Sequence, residues 1–250
     1  MSSIELHNVC LDYIIQNGTP SIKQTLAKFL QAPLKKEPSV HNSTFRALNN
    51  INLSIKKGDR VGLIGSNGAG KSSLLRVLAK IYQPNSGNIE VNGNISSLFN
   101  LNVGMNQEAT GYENIVNLCL LKGFSKSQAL SIIPDIEEFT ELGKFLNAPV
   151  RTYSSGMQMK LVFSILTAFP PEILLIDEVI GVGDARFRQK SLDRLIKFAD
   201  HCHLIVLATH SNEMIKEYCN KVVVLNKGEI VFSGEPQPAI DFYNQKFVVC

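Results

Sequence analysis

Apolar and polar residues alternate along this chain with two different periods. Ile4 to Tyr13 runs Ile-Glu-Leu-His-Asn-Val-Cys-Leu-Asp-Tyr, close enough to alternation to predict a strand with one buried face, and Leu48 to Ile55 predicts another. An insert of about thirty residues separates them, long for a connection in a compact domain and therefore a candidate functional element. Within it Ile22, Leu26, Phe29 and Leu30 recur at helical spacing, with Thr19 as N-cap, Pro20 at the first helical position and Pro33 as the stop. This predicts a short amphipathic helix over 20–31.

Further on, Val61 to Ile64 reads as a buried strand and Leu74 to Lys80 as helix. Asn88 to Ile95 predicts a hairpin turning near Asn92-Gly93. Two capping boxes, Thr110 with Glu113 and Ser125 with Gln128, open helices that continue to about residue 147. The apolar runs Ile173 to Ile176 and Leu204 to Leu207 flank a helical segment over 185–199, the alternation that builds a parallel sheet. A hairpin, Val222 to Leu225 and Glu229 to Phe232 around Asn226-Lys227-Gly228, precedes a helix near 239–246. The pattern predicts an α/β fold.

Composition narrows the function classes. The chain has 250 residues, 44% hydrophobic and 19% charged, with a net charge of +3, enough for one full core without staples. That charge is too mild for a nucleic-acid partner, and no stripe of aromatic and basic residues supports one. Five cysteines without C-x-x-C spacing argue against a disulfide framework or zinc ribbon and fit a reducing compartment. His201-Cys202-His203 precedes an apolar strand, where alternate residues face opposite sides, and reads as a strand entry. No stretch approaches the roughly 20 apolar residues that cross a bilayer, and Met1 to Glu5 lacks the regions of a signal peptide, so a cytoplasmic location is expected.

The chemistry concentrates after the strand ending at Ile64. Gly65-Ser66-Asn67-Gly68-Ala69-Gly70-Lys71-Ser72-Ser73 has the G-x-x-x-x-G-K-[ST] spacing of a phosphate-binding loop, set between a strand and a helix. Glycines at 65, 68 and 70 let backbone N–H groups close around an anion, and the helix N-terminus adds partial positive charge. Lys71 is expected to reach the β- and γ-phosphates of a nucleoside triphosphate and the Ser72 hydroxyl to ligate Mg²⁺. The strand Ile173 to Ile176 ends in Asp177-Glu178. There Asp177 is expected to orient the Mg²⁺ shell and Glu178 to polarise the attacking water.

On these residues the chain resembles the ATP-binding-cassette ATPases along nearly its whole length. Tyr153-Ser154-Ser155-Gly156-Met157 looks like the family's L-S-G-G-Q signature, with Ser154 and Gly156 matching and Tyr153, Ser155 and Met157 departing from it. The resemblance implies that Ser154 and Gly156 complete the ATP site of a second copy, so that two copies close around two ATP. It places a D-loop at Gly181-Val182-Gly183-Asp184 and a switch histidine at His210, which contacts the γ-phosphate or holds the attacking water. Tyr13 is the candidate for stacking on adenine, with Phe45 or His41 as alternatives. The family's glutamine ahead of the helical subdomain has no counterpart; its place falls near Asn100-Leu101-Asn102, with Asn100 as substitute. The fold implied is a P-loop NTPase, RecA-like core with a parallel sheet and an N-terminal antiparallel β subdomain (1–98 and 160–250). A helical signature subdomain (about 99–159) is inserted in it.

Tyr-Ser-Ser-Gly-Met, Asp-Glu-Val-Ile-Gly-Val-Gly-Asp-Ala and Thr-Gly-Tyr-Glu-Asn, with the N-terminal insert, are similar to the ATPases of bacterial polysaccharide exporters. The implied role is export of lipid-linked O-antigen, or alternatively teichoic acid or capsule. The implied partner is an integral-membrane permease that carries the lipid-linked glycan and holds the ATPase at the cytoplasmic face of the inner membrane. The apolar face of 20–31, with Lys23, Lys28, Lys35 and Lys36, suits docking to such a partner. Some relatives carry a further C-terminal carbohydrate-binding domain. This chain ends at Cys250, as expected of a shorter type or of one from which that domain has been trimmed.

Overall fold

The computed structural model describes residues 2–16, 42–99, 104–177 and 185–248. The expected helix over 20–31, His41, Asn100, Glu178 and the Gly181 to Asp184 segment lie outside the described residues.

Two sheets form the frame. β1 (Ser3–Gln16), β2 (Asn42–Lys56) and β4 (Ser86–Asn92) make an antiparallel sheet in the order β2-β1-β4. The second sheet has the order β5-β6-β7-β3-β8-β9, from β5 (Ile95–Ser97), β6 (Ile173–Asp177), β7 (Leu204–Ala208), β3 (Arg60–Ile64), β8 (Lys221–Asn226) and β9 (Glu229–Gly234). Its pairs are parallel except β8 with β9. The central strands read as unbroken apolar runs because helices and the other sheet cover both their faces. Alternate residues still divide between those faces. Ile173 and Leu175 join one core and Leu174 and Ile176 the other.

The hairpin expected at Asn92-Gly93 is not formed. β4 pairs with β1, and β5 pairs in parallel with β6, so this turn carries the chain from one sheet to the other. Glu172 explains the crossing: its carboxylate accepts the Asn94 N–H at 2.8 Å, and the Ile173 N–H donates to the Asn94 carbonyl at 2.9 Å. These bonds draw the chain to β6. Gly93 has φ 122°, a backbone that any residue with a Cβ adopts only under strain, so glycine is favoured there.

Helix α1 (Lys71–Leu78) buries Leu74, Leu75, Val77 and Leu78 in the core shared by both sheets. Helices α2 (Gly111–Leu121), α3 (Lys126–Ser131) and α4 (Ile133–Thr140) form a separate helical cluster. Both expected capping boxes are present in α2 and α3. Helix α5 (Ser155–Leu166) belongs to both regions. Leu161 and Ile165 enter the helical cluster, while Val162 and Phe163 pack against the sheet with α6 (Ala185–Asp200). α7 (Asn212–Tyr218) follows β7, and α8 (Pro236–Tyr243) packs Ala239 and Ile240 on β8.

Arg194 of α6 ties the helical cluster to the sheet. Its guanidinium makes two bonds to Asp135 of α4, at 3.0 and 2.6 Å, and donates from Nε to Thr167 Oγ1 at 2.8 Å. It also lies 4.5 Å from the Phe139 ring centroid. Asp135 is 56% exposed and Arg194 only 16%, so water screens the ion pair while the arginine stem stays packed. Arg194→Ala is therefore expected to cost about 2–3 kcal/mol and Asp135→Asn about 1 kcal/mol or less. Urea unfolding checks this; equal losses in the two variants would show that the ion pair carries the whole effect.

Candidate functional site

The site is built by strand register. In the parallel sheet Leu63 of β3 lies beside Ala208 of β7, and Ala208 beside Asp177 of β6. The chain leaving β3 (Gly65 to Gly70), the end of β6 (Asp177) and the turn after β7 (His210) thus reach the same carboxyl edge, where open α/β sheets bind ligands. A cavity of about 300 Å³ opens there, lined by Asn67 to Ser73, Asp177 and His210, with Tyr13, Phe45 and Ala47 from the antiparallel sheet.

The loop from Gly65 to Gly70 has a backbone that other residues adopt only under strain. Gly68 has φ 80° and Gly70 has φ 108°. Gly70 is the N-cap of α1 and provides no side-chain cap, so the first N–H groups of the helix have no intrahelical acceptor and are available to an anion. The Leu74 N–H closes the first turn on the Gly70 carbonyl at 2.8 Å. Lys71 is 8% exposed, and its ammonium donates to the carbonyls of Gly65 at 2.6 Å and Ser66 at 3.1 Å. Ser66, Asn67 and Gly68 are exposed, the last two at the cavity, and Ala69 is buried.

A second turn supports this loop from behind. The Gly228 N–H donates to the Ala69 carbonyl at 2.9 Å, and the Asn49 N–H donates to the Gly228 carbonyl at 2.8 Å. The β8–β9 turn therefore joins the loop to the antiparallel sheet. Gly228 has φ 82°, and a Cβ there would lie 2.7 Å from the Ala47 carbonyl oxygen; one on Gly70 would lie 2.9 Å from the same atom. Sequence reading identified the hairpin but not this contact, because its signal is pairing between distant segments.

Asp177 and Ser72 border the cavity together. Two oxygen donors and room for phosphate oxygens and water fit the chemistry of Mg²⁺, which keeps several waters. His210 precedes Ser211, the N-cap of α7, whose hydroxyl accepts the Met214 N–H at 3.3 Å. Ser211 in turn donates its N–H to Thr209 Oγ1 at 3.1 Å, so the backbone around His210 is held on both sides. Tyr13 shares a hydrogen bond with Ser73 at 2.9 Å and lies opposite Phe45 in the β1–β2 register. Phe45 is 51% exposed.

Ser154 and Gly156 do not line this cavity. Ser154 caps α5, its hydroxyl accepting the Met157 N–H at 3.2 Å. Tyr153 is buried and donates its hydroxyl to the Phe145 carbonyl at 2.6 Å, and burial pushes its phenol up from the usual value. Asn114, the last residue of the Thr-Gly-Tyr-Glu-Asn motif, is fully buried and has a role that the motif's spacing does not reveal. Its amide bonds the backbone of Asn106, Ala109 and Thr110 and shapes the loop leading into α2. In the His201-Cys202-His203 run, His201 contacts the Lys197 carbonyl, Cys202 the Phe198 carbonyl and His203 the Ser2 hydroxyl. Burial pushes the Cys202 thiol up to about 12. Among the described residues, no three His, Cys, Asp or Glu side chains converge.

The sequence profile of the ABC transporter family matches residues 48–181. The O-antigen export system ATP-binding protein RfbE of Yersinia enterocolitica is 44% identical over 231 residues, 92% of this chain and 97% of that protein. The teichoic acids export ATP-binding protein TagH of Staphylococcus haemolyticus is 36% identical, covering 97% of this chain and 88% of its own length. An O-antigen export system ATP-binding protein, RfbB of Myxococcus xanthus, is 38% identical over 92% of this chain, which spans 52% of that protein. Among solved structures, an ATP binding subunit of an ABC transporter superimposes with a TM-score of 0.69 at 20% identity, covering 98% of this chain and 93% of its own. A dimeric ATP-binding cassette bound to ADP and Pi gives 0.66 at 20% identity, over 94% of this chain and 99% of its own.

The turn behind the loop leads to a paired test. Gly58 has φ 96° with nothing within 4 Å of an added Cβ, whereas Gly228 adds the close Ala47 carbonyl to a similar φ. Gly58→Ala is expected to cost about 1 kcal/mol and Gly228→Ala about 2–4 kcal/mol. Denaturant titration of both variants measures the difference; equal losses would show that the Ala47 contact yields freely.

Proposed function

The chain belongs to the ABC transporter family, among the ATPases of polysaccharide export, and on that premise we propose that it powers export of a lipid-linked O-antigen across the inner membrane. The observation that carries this reading is the meeting of the phosphate loop, Asp177 and His210 at one edge of the sheet, in a chain 44% identical to an O-antigen export ATP-binding protein over almost the whole of both. The 36% identity to a teichoic acids export protein supports a second cargo, a teichoic acid, which offers similar chemistry: a polyanionic or neutral glycan on a lipid carrier.

In this proposal the N–H groups of Gly68 to Ser73 and the Lys71 ammonium hold the triphosphate. Lys71 exchanges its carbonyl partners for phosphate oxygens, a change from neutral to charged acceptors that strengthens its bonds. Ser72 and Asp177 hold Mg²⁺, which supplies neutralisation of the charge developing on the phosphates. Glu178 orients the attacking water, His210 meets the γ-phosphate side, and the adenine lies against Tyr13. Ser154 and Gly156 present a helix N-terminus to the nucleotide of a second copy, so the working unit is a dimer. A permease receives the dimer at the cytoplasmic membrane face, with residues 20–31 as a docking element. No helix among the described residues is long and apolar enough to cross a membrane.

Binding and turnover separate in two variants. Lys71→Ala is expected to weaken ATP affinity by about tenfold or more, because a charge-assisted contact is lost. Glu178→Gln is expected to keep affinity within about twofold and reduce turnover by about a hundredfold or more, since water positioning matters mainly in the transition state. Calorimetry and phosphate release measure the two. The Glu178→Gln protein with Mg-ATP is also expected to elute as a dimer of 27.6 kDa chains. Equal affinity losses, or a monomer at saturating ATP, overturn these assignments.

The cargo is tested in the bacterium that encodes the chain. Deleting the gene is expected to remove polymer from the cell surface and leave it on its lipid carrier inside, with rescue by the wild-type chain and not by Glu178→Gln. Unchanged surface polymer in the deletion strain would rule out the export role.

A further inference from the structure

We infer that Tyr82 is a positioning residue for the nucleobase, acting through Tyr13. This rests on the nucleotide reading of the site given above. Tyr13 stands three residues before the end of β1, beyond the last β1–β4 pair at Cys10, and its ring packs only partly on the core. Two further contacts hold it. Its hydroxyl bonds Ser73 Oγ at 2.9 Å, and its ring meets that of Tyr82 edge-on, with centroids 5.8 Å apart and planes at 79°. The hydroxyl bond alone is a pivot about which the ring can swing. The contact with Tyr82 fixes the plane.

Both anchors come from the segment that binds phosphate. Ser73 follows Ser72 in the first turn of α1, and Tyr82 lies just beyond the helix, its N–H donating to the Arg76 carbonyl at 3.2 Å. The Arg76 guanidinium lies 5.9 Å from the Tyr82 ring centroid, within cation–π range. The separation between the phosphate loop and the base platform is therefore braced by helix α1 as well as by the sheet from which Tyr13 comes. Tyr82 is 36% exposed and contributes little to the core, so its substitution leaves the fold intact. An edge-on aromatic pair of this kind converts to an affinity effect of about three- to tenfold when the platform it holds is loosened.

The test compares a ligand with a base and one without, using the full chain. Tyr82→Ala is expected to weaken Mg-ATP binding by about three- to tenfold while leaving Mg-tripolyphosphate binding and the saturated rate of phosphate release unchanged. Tyr82→Phe is expected to restore ATP affinity, since the ring and not its hydroxyl makes the contact. Tyr82→Leu, which keeps volume without the ring, is expected to behave as Tyr82→Ala. Unchanged ATP affinity in Tyr82→Ala, parallel loss of tripolyphosphate affinity, or failure of Tyr82→Phe to rescue each overturn the inference while leaving the nucleotide site standing. Wild-type protein that binds ATP no more tightly than tripolyphosphate would overturn it at its root, because no base contact then exists to position.

Discussion

The parallel register that sets Leu63, Ala208 and Asp177 side by side is the constraint on which the rest of this molecule depends. A shift of one residue in either pair would turn Asp177 to the opposite face of the sheet and carry the loop after β3 away from it. The register is held by burial on both faces of β3, β6, β7 and β8, which leaves no polar face for slippage. The apolar character of these strands therefore acts at a distance on the chemistry. It places a glycine-rich loop, a carboxylate and an imidazole at one edge, and of these only the loop, through Ala69, takes part in the core packing.

Around this edge, the other elements are joined by few but directional contacts. The β8–β9 turn supports the loop through the Ala69 carbonyl and the antiparallel sheet through the Asn49 N–H. Arg194 joins α4, α6 and the end of α5. Helix α5 shares its side chains between the helical cluster and the sheet core, so the residues at its start, Ser154 to Gly156, move with the helical cluster only as far as this shared packing allows. The two regions are thus joined by a helix with two apolar faces, by the Arg194 guanidinium, by Phe139 of α4 in the sheet core, and by the Lys190 and Lys122 ammonium groups, which bond the Glu138 carbonyl and the Ser96 hydroxyl.

Local signals were legible in the sequence where the interaction is local. The capping boxes at Thr110 and Ser125, the hairpin at Lys227-Gly228 and the phosphate loop each depend on residues within a few positions of one another, and the structure has them. Asn92-Gly93 misled for the opposite reason: its turn chemistry is real, but the acceptor that decides its direction is Glu172, 78 residues away from Asn94. Tyr13 with Ser73, Gly228 with Ala69 and Asn114 with its surrounding carbonyls are likewise unreadable from spacing. Periodicity reports which face is buried, not which partner covers it. The Tyr13 side of the cavity is the least legible part for this reason, being assembled from a strand, a helix and a turn that no motif links.

The cap on α5 has a consequence for hydrogen-bond polarity. The Ser154 oxygen accepts from the Met157 N–H, which commits one of its two lone pairs and leaves the proton and the other lone pair for whatever approaches. In free serine both lone pairs compete for partners; here one is taken, so the hydroxyl is biased toward donating. A molecule meeting this helix end finds that hydroxyl where the first backbone N–H groups lack intrahelical acceptors, a setting that favours electron-rich atoms. Threonine would keep the bias, and alanine would remove the hydroxyl's share of it.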